Sequence, residues 1–113
     1  MDCIFCMIAK GQIKSEKVYE NDSVLAFKDI NPQSPVHIVV IPKEHIMTCA
    51  DDITEENSAA IAKIFEAIPK IAAVSGLSNG YRIISNCKKD ACQSVMHIHF
   101  HILGGRQLSG EMG

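Results

Sequence analysis

The sequence predicts an α+β fold: a five-stranded antiparallel sheet with one long helix and a short amino-terminal helix. Three observations carry this prediction. Strand-like segments at residues 17–20, 23–28 and 36–41 are joined by a tight turn and a proline loop. One apolar stripe at helical spacing follows, through Ile61, Ile64, Phe65, Ile68, Ile71 and Ala72. Two more strand-like segments, 81–85 and 93–103, close the chain. Short connections favour antiparallel neighbours, and a stripe of that width needs a sheet face to pack on. Residues 1–113 are read as a single domain.

The elements follow in order. Ile4, Phe5, Ile8 and Ala9 fall at helical spacing, and Gly11 stops that first helix. Residues 17–20 form a short strand, Asn21-Asp22 turns the chain, and residues 23–28 return. Pro32 and Pro35 disfavour helix in the residues before them, so residues 31–35 are a rigid loop. Residues 36–41 are rich in Val and Ile, and Pro42 ends the strand. Thr54-Glu55-Glu56 supplies a capping hydroxyl and two first-turn acids for a helix that Gly76 ends. Pro69 removes one backbone donor from it and predicts a bend near Phe65. Asn79-Gly80 turns into the fourth strand, residues 86–92 are a polar loop, and the fifth strand ends at Gly104-Gly105.

Composition narrows the function classes. A net charge of −2 gives no basic excess for nucleic acid. No apolar run reaches membrane-spanning length, and Met1-Asp2-Cys3-Ile4-Phe5-Cys6 lacks the basic-then-apolar layout of a signal peptide. With 5 cysteines, an odd number, reduced thiols and a cytoplasmic location are expected.

The chemistry concentrates in His97-Ile98-His99-Phe100-His101. On a strand, alternate side chains face one way, so the three imidazoles share a face, roughly 6.5 Å apart in succession. Ile98, Phe100 and Ile102 take the opposite face, under the long helix. Each buried imidazole needs two polar partners, so packing alone does not explain three at strict alternation. Two chemistries use such a row: metal ligation from one face, and attack by one neutral imidazole while its neighbours manage protons. His37, in the apolar run 36–40, is either a core histidine bonded to a carbonyl or the partner that fixes the attacker's tautomer.

The run from Gln93 to Gln107, QSVMHIHFHILGGRQ, closely resembles the signature of histidine triad (HIT) proteins, nearest to the HINT branch of nucleoside phosphoramidate hydrolases. Residues 27–37, 41–46, Tyr81-Arg82 and Asn86 resemble the other blocks of that family, so the likeness spans nearly the whole chain. It implies a HIT-like fold that pairs into a two-fold homodimer with a continuous sheet. It implies hydrolysis of purine nucleoside 5′-phosphoramidates, with an AMP- or GMP-like nucleotide bound and no cofactor for catalysis. His99 matches the nucleophile that forms a transient nucleotidyl-histidine on the α-phosphorus; His37 and His101 match its hydrogen-bonding neighbours, and Ser94 a hydroxyl near the leaving group. Asp29 matches the ribose-binding acid with Ile30 beside it, while Ile4, Phe5, Ile8 and Phe27 match the walls of the base pocket. Asn86, Gln93 and the amides near Ser94 match the phosphate cradle, and Cys92 and Phe100 complete the implied nucleotide-binding set. A phosphoramidate suits such a site, because its nitrogen leaving group departs poorly unless protonated.

Two departures stand out. Ala91-Cys92 replaces a pair of glycines usual before the glutamine, and the tail from Leu108 to Gly113 lacks the tryptophan and prolines of animal relatives. The pair Cys3-x-x-Cys6 is by itself a weak zinc signal, since a structural site needs four ligands. The resemblance adds two more, His45 and His97, and implies a structural zinc on Cys3, Cys6, His45 and His97. The alternatives are a nucleotide sensor with little turnover and a metal-dependent hydrolase that uses the triad as ligands. Against the latter, no carboxylate lies in the triad strand.

Overall fold

The structure, a computed structural model, describes residues 3–113; Met1 and Asp2, in the segment read as lacking a signal layout, lie outside the described residues. The elements are α1 (Ile4–Ala9), β1 (Lys17–Glu20), β2 (Val24–Lys28), β3 (Val36–Pro42), α2 (Ser58–Val74), β4 (Tyr81–Ile84) and β5 (Phe100–Gly104). The strands form one sheet in the order β1-β2-β3-β5-β4, with every neighbouring pair antiparallel.

Alternation sorts the sheet's side chains into two layers. Val24, Ala26, Ile38, Val40, Ile98, Phe100 and Ile102 meet Ile64, Ala67, Ile68 and Ile71 of α2 in one core. Leu25, Phe27, Val39 and Ile41 meet Phe5 and Ile8 of α1 in a second core on the opposite face. This double cover is why β2 and β3 read as continuous apolar runs rather than alternating ones. It also places His37, two residues before Val39, on the α1 side.

Two boundaries differ by several residues from the sequence reading. The long helix starts at Ser58, not at Thr54. Thr54 caps the turn before it: its N–H donates to Asn57 Oδ1 at 2.7 Å, and its hydroxyl accepts from the Asn57 N–H at 3.3 Å. α2 continues through Pro69, which has no N–H to donate to the Phe65 carbonyl; Phe65 is 46% exposed and Ile61 half-buried, while Ile64, Ile68, Ile71 and Ala72 of the stripe are buried. Gly76, at φ +73°, ends the helix region as expected. The fifth strand is shorter than predicted, because only Phe100–Gly104 is paired. Upstream the chain bends at residues 95–97, and its polar groups go elsewhere. The Ile98 N–H donates to Met47 O at 2.9 Å, and Ser85 Oγ donates to His99 O at 2.8 Å. A Cβ at Gly104 would stand 2.7 Å from Leu77 Cδ2, so the buried Leu77 side chain would have to shift to admit one.

Candidate active site

The three triad imidazoles do not act as one row. His97, fully buried, turns towards Cys3, Cys6 and His45, whereas His99 and His101 line a pocket on the α1 side with Asp29, and His37 bonds to His101. The division follows from the bend at residues 95–97, which swings His97 towards the amino terminus.

Hydrogen bonds fix the proton on each ring. The His99 Nδ1–H donates to the His97 carbonyl at 2.8 Å, which leaves Nε2 as a free lone pair. His37 Nδ1 accepts the Gln33 N–H at 3.0 Å, so its proton sits on Nε2 and is donated to His101 Nδ1 at 2.8 Å. The single N–H of neutral His101 is then on its own Nε2. His37 thus orients His101, and a backbone carbonyl sets the tautomer of His99. Neither of the two sequence readings of His37 described this arrangement.

Burial keeps the rings neutral. It pushes His37 and His99 below the ordinary histidine range, partly offset by the Asp29 carboxylate. His101 is lowered to about 4 by burial first, then by its neighbours His99 and His37. Phe5 supplies much of the dry surface, with its ring meeting His99 edge-on at 5.0 Å and Phe27 at 5.6 Å.

The pocket measures about 480 Å³. It brings together Ile4, Phe5, Ile8, Phe27, Asp29, Ile30, Ser94, His99 and His101 of the predicted set. Ile13, Val39 and Val95 also line it. Two-residue spacing from His37 and His97 pointed to Val39 and Val95; nothing in the sequence marked Ile13. A neighbouring hollow of about 530 Å³ shares Asp29 with it and is lined by His37, which does not line the first, but it holds no second imidazole, so the chemistry belongs to the first.

Four predicted nucleotide contacts fall outside the pocket lining. Phe100 is a correction: its ring is buried in the α2 core and meets Phe65 at 5.5 Å, because strand alternation turns it away from His99 and His101. Gln93 organises its own loop. Its Nε2 donates to Thr48 O at 2.7 Å and Val95 O at 3.1 Å, and its Oε1 accepts the Lys88 N–H at 2.9 Å. Asn86 is half-buried at the end of β4, and Cys92 is exposed. Cys92 holds φ 59° and Lys88 holds φ 68°, so the loop keeps two residues in a region that favours glycine. The sequence also missed Ser85, which holds the His99 carbonyl, and the closeness of a carboxylate to the triad: Asp29 Oδ2 lies 3.4 Å from His37 Nε2. Asp29, His37 and His101 could in principle ligate a metal, yet a proton shared over 2.8 Å already joins the two rings.

The second cluster fits a zinc ion. The ligand atoms of Cys3, Cys6, His45 and His97 all lie within 4.8 Å of one another. Sulfur-to-nitrogen distances are 3.4 Å for Cys3–His97, 3.5 Å for Cys6–His97 and 3.4 Å for Cys6–His45. A tetrahedron with zinc's usual bond lengths separates sulfur from nitrogen by about 3.6 Å. The His97 Nε2–H donates to Pro42 O at 2.9 Å, which leaves Nδ1 aimed at the thiols as a ligand. Burial and then the neighbouring Cys3 thiol push the Cys6 thiol up, and a divalent cation relieves both effects.

The HIT domain matches residues 10–108. The chain belongs to the HIT domain family. The HIT family hydrolase from Legionella pneumophila superposes with a TM-score of 0.93 at 42% identity, covering 99% of this chain and 100% of that one. The purine nucleoside phosphoramidase of Escherichia coli is 42% identical over 95% of this chain and 90% of its own length. The 14 kDa zinc-binding protein of Zea mays is 42% identical over 97% of this chain and 87% of its own length. Among the described residues of this HIT protein, no helix is long and apolar enough to cross a membrane.

Proposed function

We propose that this HIT protein hydrolyses purine nucleoside 5′-phosphoramidates through a nucleotidyl intermediate on His99. The observation that carries this reading is the free Nε2 lone pair of a neutral, buried His99 in a pocket with apolar walls and the Asp29 carboxylate. Phe5, Ile8 and Phe27 sandwich a base, and Asp29 accepts the two ribose hydroxyls. Its Oδ1 takes the Asn31 N–H at 2.8 Å, which holds the carboxylate in place. The His99 lone pair attacks the α-phosphorus as the phosphorus–nitrogen bond breaks, and the departing amine takes up a proton from solvent, relayed by the Ser94 hydroxyl; the water that attacks next gives a proton back. The His101 Nε2–H donates to a non-bridging oxygen, backed by the bond from His37. Water then attacks the phosphorus, releases the nucleoside monophosphate and restores neutral His99. The similarity to the phosphoramidase of Escherichia coli supports the substrate class.

In the same reading a structural zinc on Cys3, Cys6, His45 and His97 pins α1 to the sheet, and two chains pair along β4. The zinc takes no part in the phosphorus chemistry.

Trapping the intermediate tests the reaction. Wild-type protein mixed with adenosine 5′-phosphoramidate and quenched should carry an adenylyl group on the tryptic peptide that holds His99. His99→Ala should lose on the order of 10⁴-fold or more in turnover while still binding AMP. Undiminished turnover in that variant would overturn the assignment.

A further inference from the structure

Cys49 and Cys87 take no part in the site described above. Cys49 is 2% exposed at the head of the 3-10 turn Ala50–Asp52. Cys87 is half-buried and directly follows Asn86 in the loop after β4. Two clamps hold these segments together. The clamps flank Cys49: Asp51 Oδ2 lies 2.6 Å from Lys88 Nζ, and Thr48 O accepts from Gln93 Nε2 at 2.7 Å. Cys87 neighbours the thiol they enclose, and together with burial it pushes Cys49 up. Lys88, next in the chain, keeps φ 68° and ψ −166°, a conformation that costs a side-chain-bearing residue energy and persists only where its surroundings hold it. A bond that moved Cys87 would therefore move a loop already under strain.

We propose that Cys49 and Cys87 form a reversible disulfide by exchange with a low-molecular-weight disulfide such as oxidised glutathione, tying the loop after β4 to residues 48–52. The more exposed Cys87 sulfur, as its thiolate, attacks the small disulfide; one small thiol leaves with the proton Cys87 gave up, and a mixed disulfide remains. The Cys49 sulfur attacks the Cys87 sulfur of that mixed disulfide, and the second small thiol leaves with the Cys49 proton. Two protein thiols are oxidised to one disulfide as one small disulfide is reduced to two thiols. A disulfide draws its sulfurs to about 2.05 Å, well inside the contact distance of two unbonded thiols. Closure thus shifts Cys87 and with it Asn86, Lys88 and the Gln93 clamp that leads to Ser94. Resting on the hydrolase reading above, this links turnover to thiol redox state.

The test uses the full chain loaded with zinc. After exposure to oxidised glutathione, free thiols are alkylated and the protein is cut with trypsin. The expected product is peptide 44–63 joined to peptide 83–88, 2 Da below the sum of the two and separated again by dithiothreitol. Cys87→Ser should give no such pair and leave Cys49 free. Joined peptides that instead contain Cys92, on peptide 90–106, would overturn the proposal. So would Cys49 and Cys87 both recovered alkylated. In a parallel assay, oxidation should lower kcat/KM for the phosphoramidate about tenfold in the wild type and leave Cys87→Ser unchanged; an oxidised wild type with full kcat/KM would refute the link to turnover. A wild type inactive before oxidation would count against the hydrolase reading alone, because the peptide pair is read without substrate.

Discussion

One proton between His37 Nε2 and His101 Nδ1, shared over 2.8 Å, decides how this site is charged. Protonating His101 would break that bond and place a cation among His99, His37 and apolar walls, which is why its pKa falls to about 4. The consequence for stability has a definite sign. In the unfolded chain the same ring titrates near 6.5, so between these values the unfolded state holds more protons. Stability from this ring is complete above about pH 6.5 and is lost as the pH falls towards 4, with about 3 kcal/mol at stake. Urea unfolding at pH 7.5 and 4.5 should show the loss, and His101→Asn should remove about that share of it. An unchanged pH dependence in the variant would refute this account. In catalysis the same neutrality keeps the His99 lone pair available.

At the scale of the element, α1 matters most. Six residues are too few to hold a helix in water. This one is kept by Phe5 and Ile8 in the second core and, in the zinc reading, by Cys3 and Cys6, which bracket its first turn. Because Phe5 and Ile8 also wall the proposed nucleotide pocket, loss of the proposed zinc should reach it through α1. Chelating zinc, or Cys6→Ala, should lower stability by about 4 kcal/mol where free zinc stands 1,000-fold above its dissociation constant. AMP affinity should fall with it, and amide exchange should quicken in α1 before it does in β3. Equal exchange with and without metal would sink the idea. The elements also show what the sequence made legible. β1 and the start of β3 were readable because turn residues and prolines bound them locally. The span of β5 was not, since His97 and Ile98 keep strand-like alternation while bonding to Pro42 and Met47 rather than to a neighbouring strand. Alternation likewise exposed the imidazoles but not their division, because a bend at residues 95–97 leaves the pattern of residue types intact.

The whole molecule presents two free sheet edges, and they are not alike. β1 carries Lys17 and Glu20 at its ends and a register break between Lys17 and Tyr19, devices that discourage another strand from adding on. β4 pairs with β5 in unbroken register and has neither a bulge nor a lysine. Ile83 sits opposite Ile102, which faces the α2 core, so Ile83 and Tyr81 point to the helix side. They are 37% and 38% exposed there, and on α2 Phe65 is 46% exposed. An unguarded edge beside apolar side chains is what a second copy would cover, joining two sheets β4 to β4 about a two-fold axis. Sedimentation equilibrium should therefore give twice the 12.4 kDa chain mass. Ile83→Lys puts a charge on that shelf without touching the pocket, and should halve the mass while leaving the pH dependence of His101 in place. A wild type that sediments as one chain would leave the β4 edge without the role argued for it.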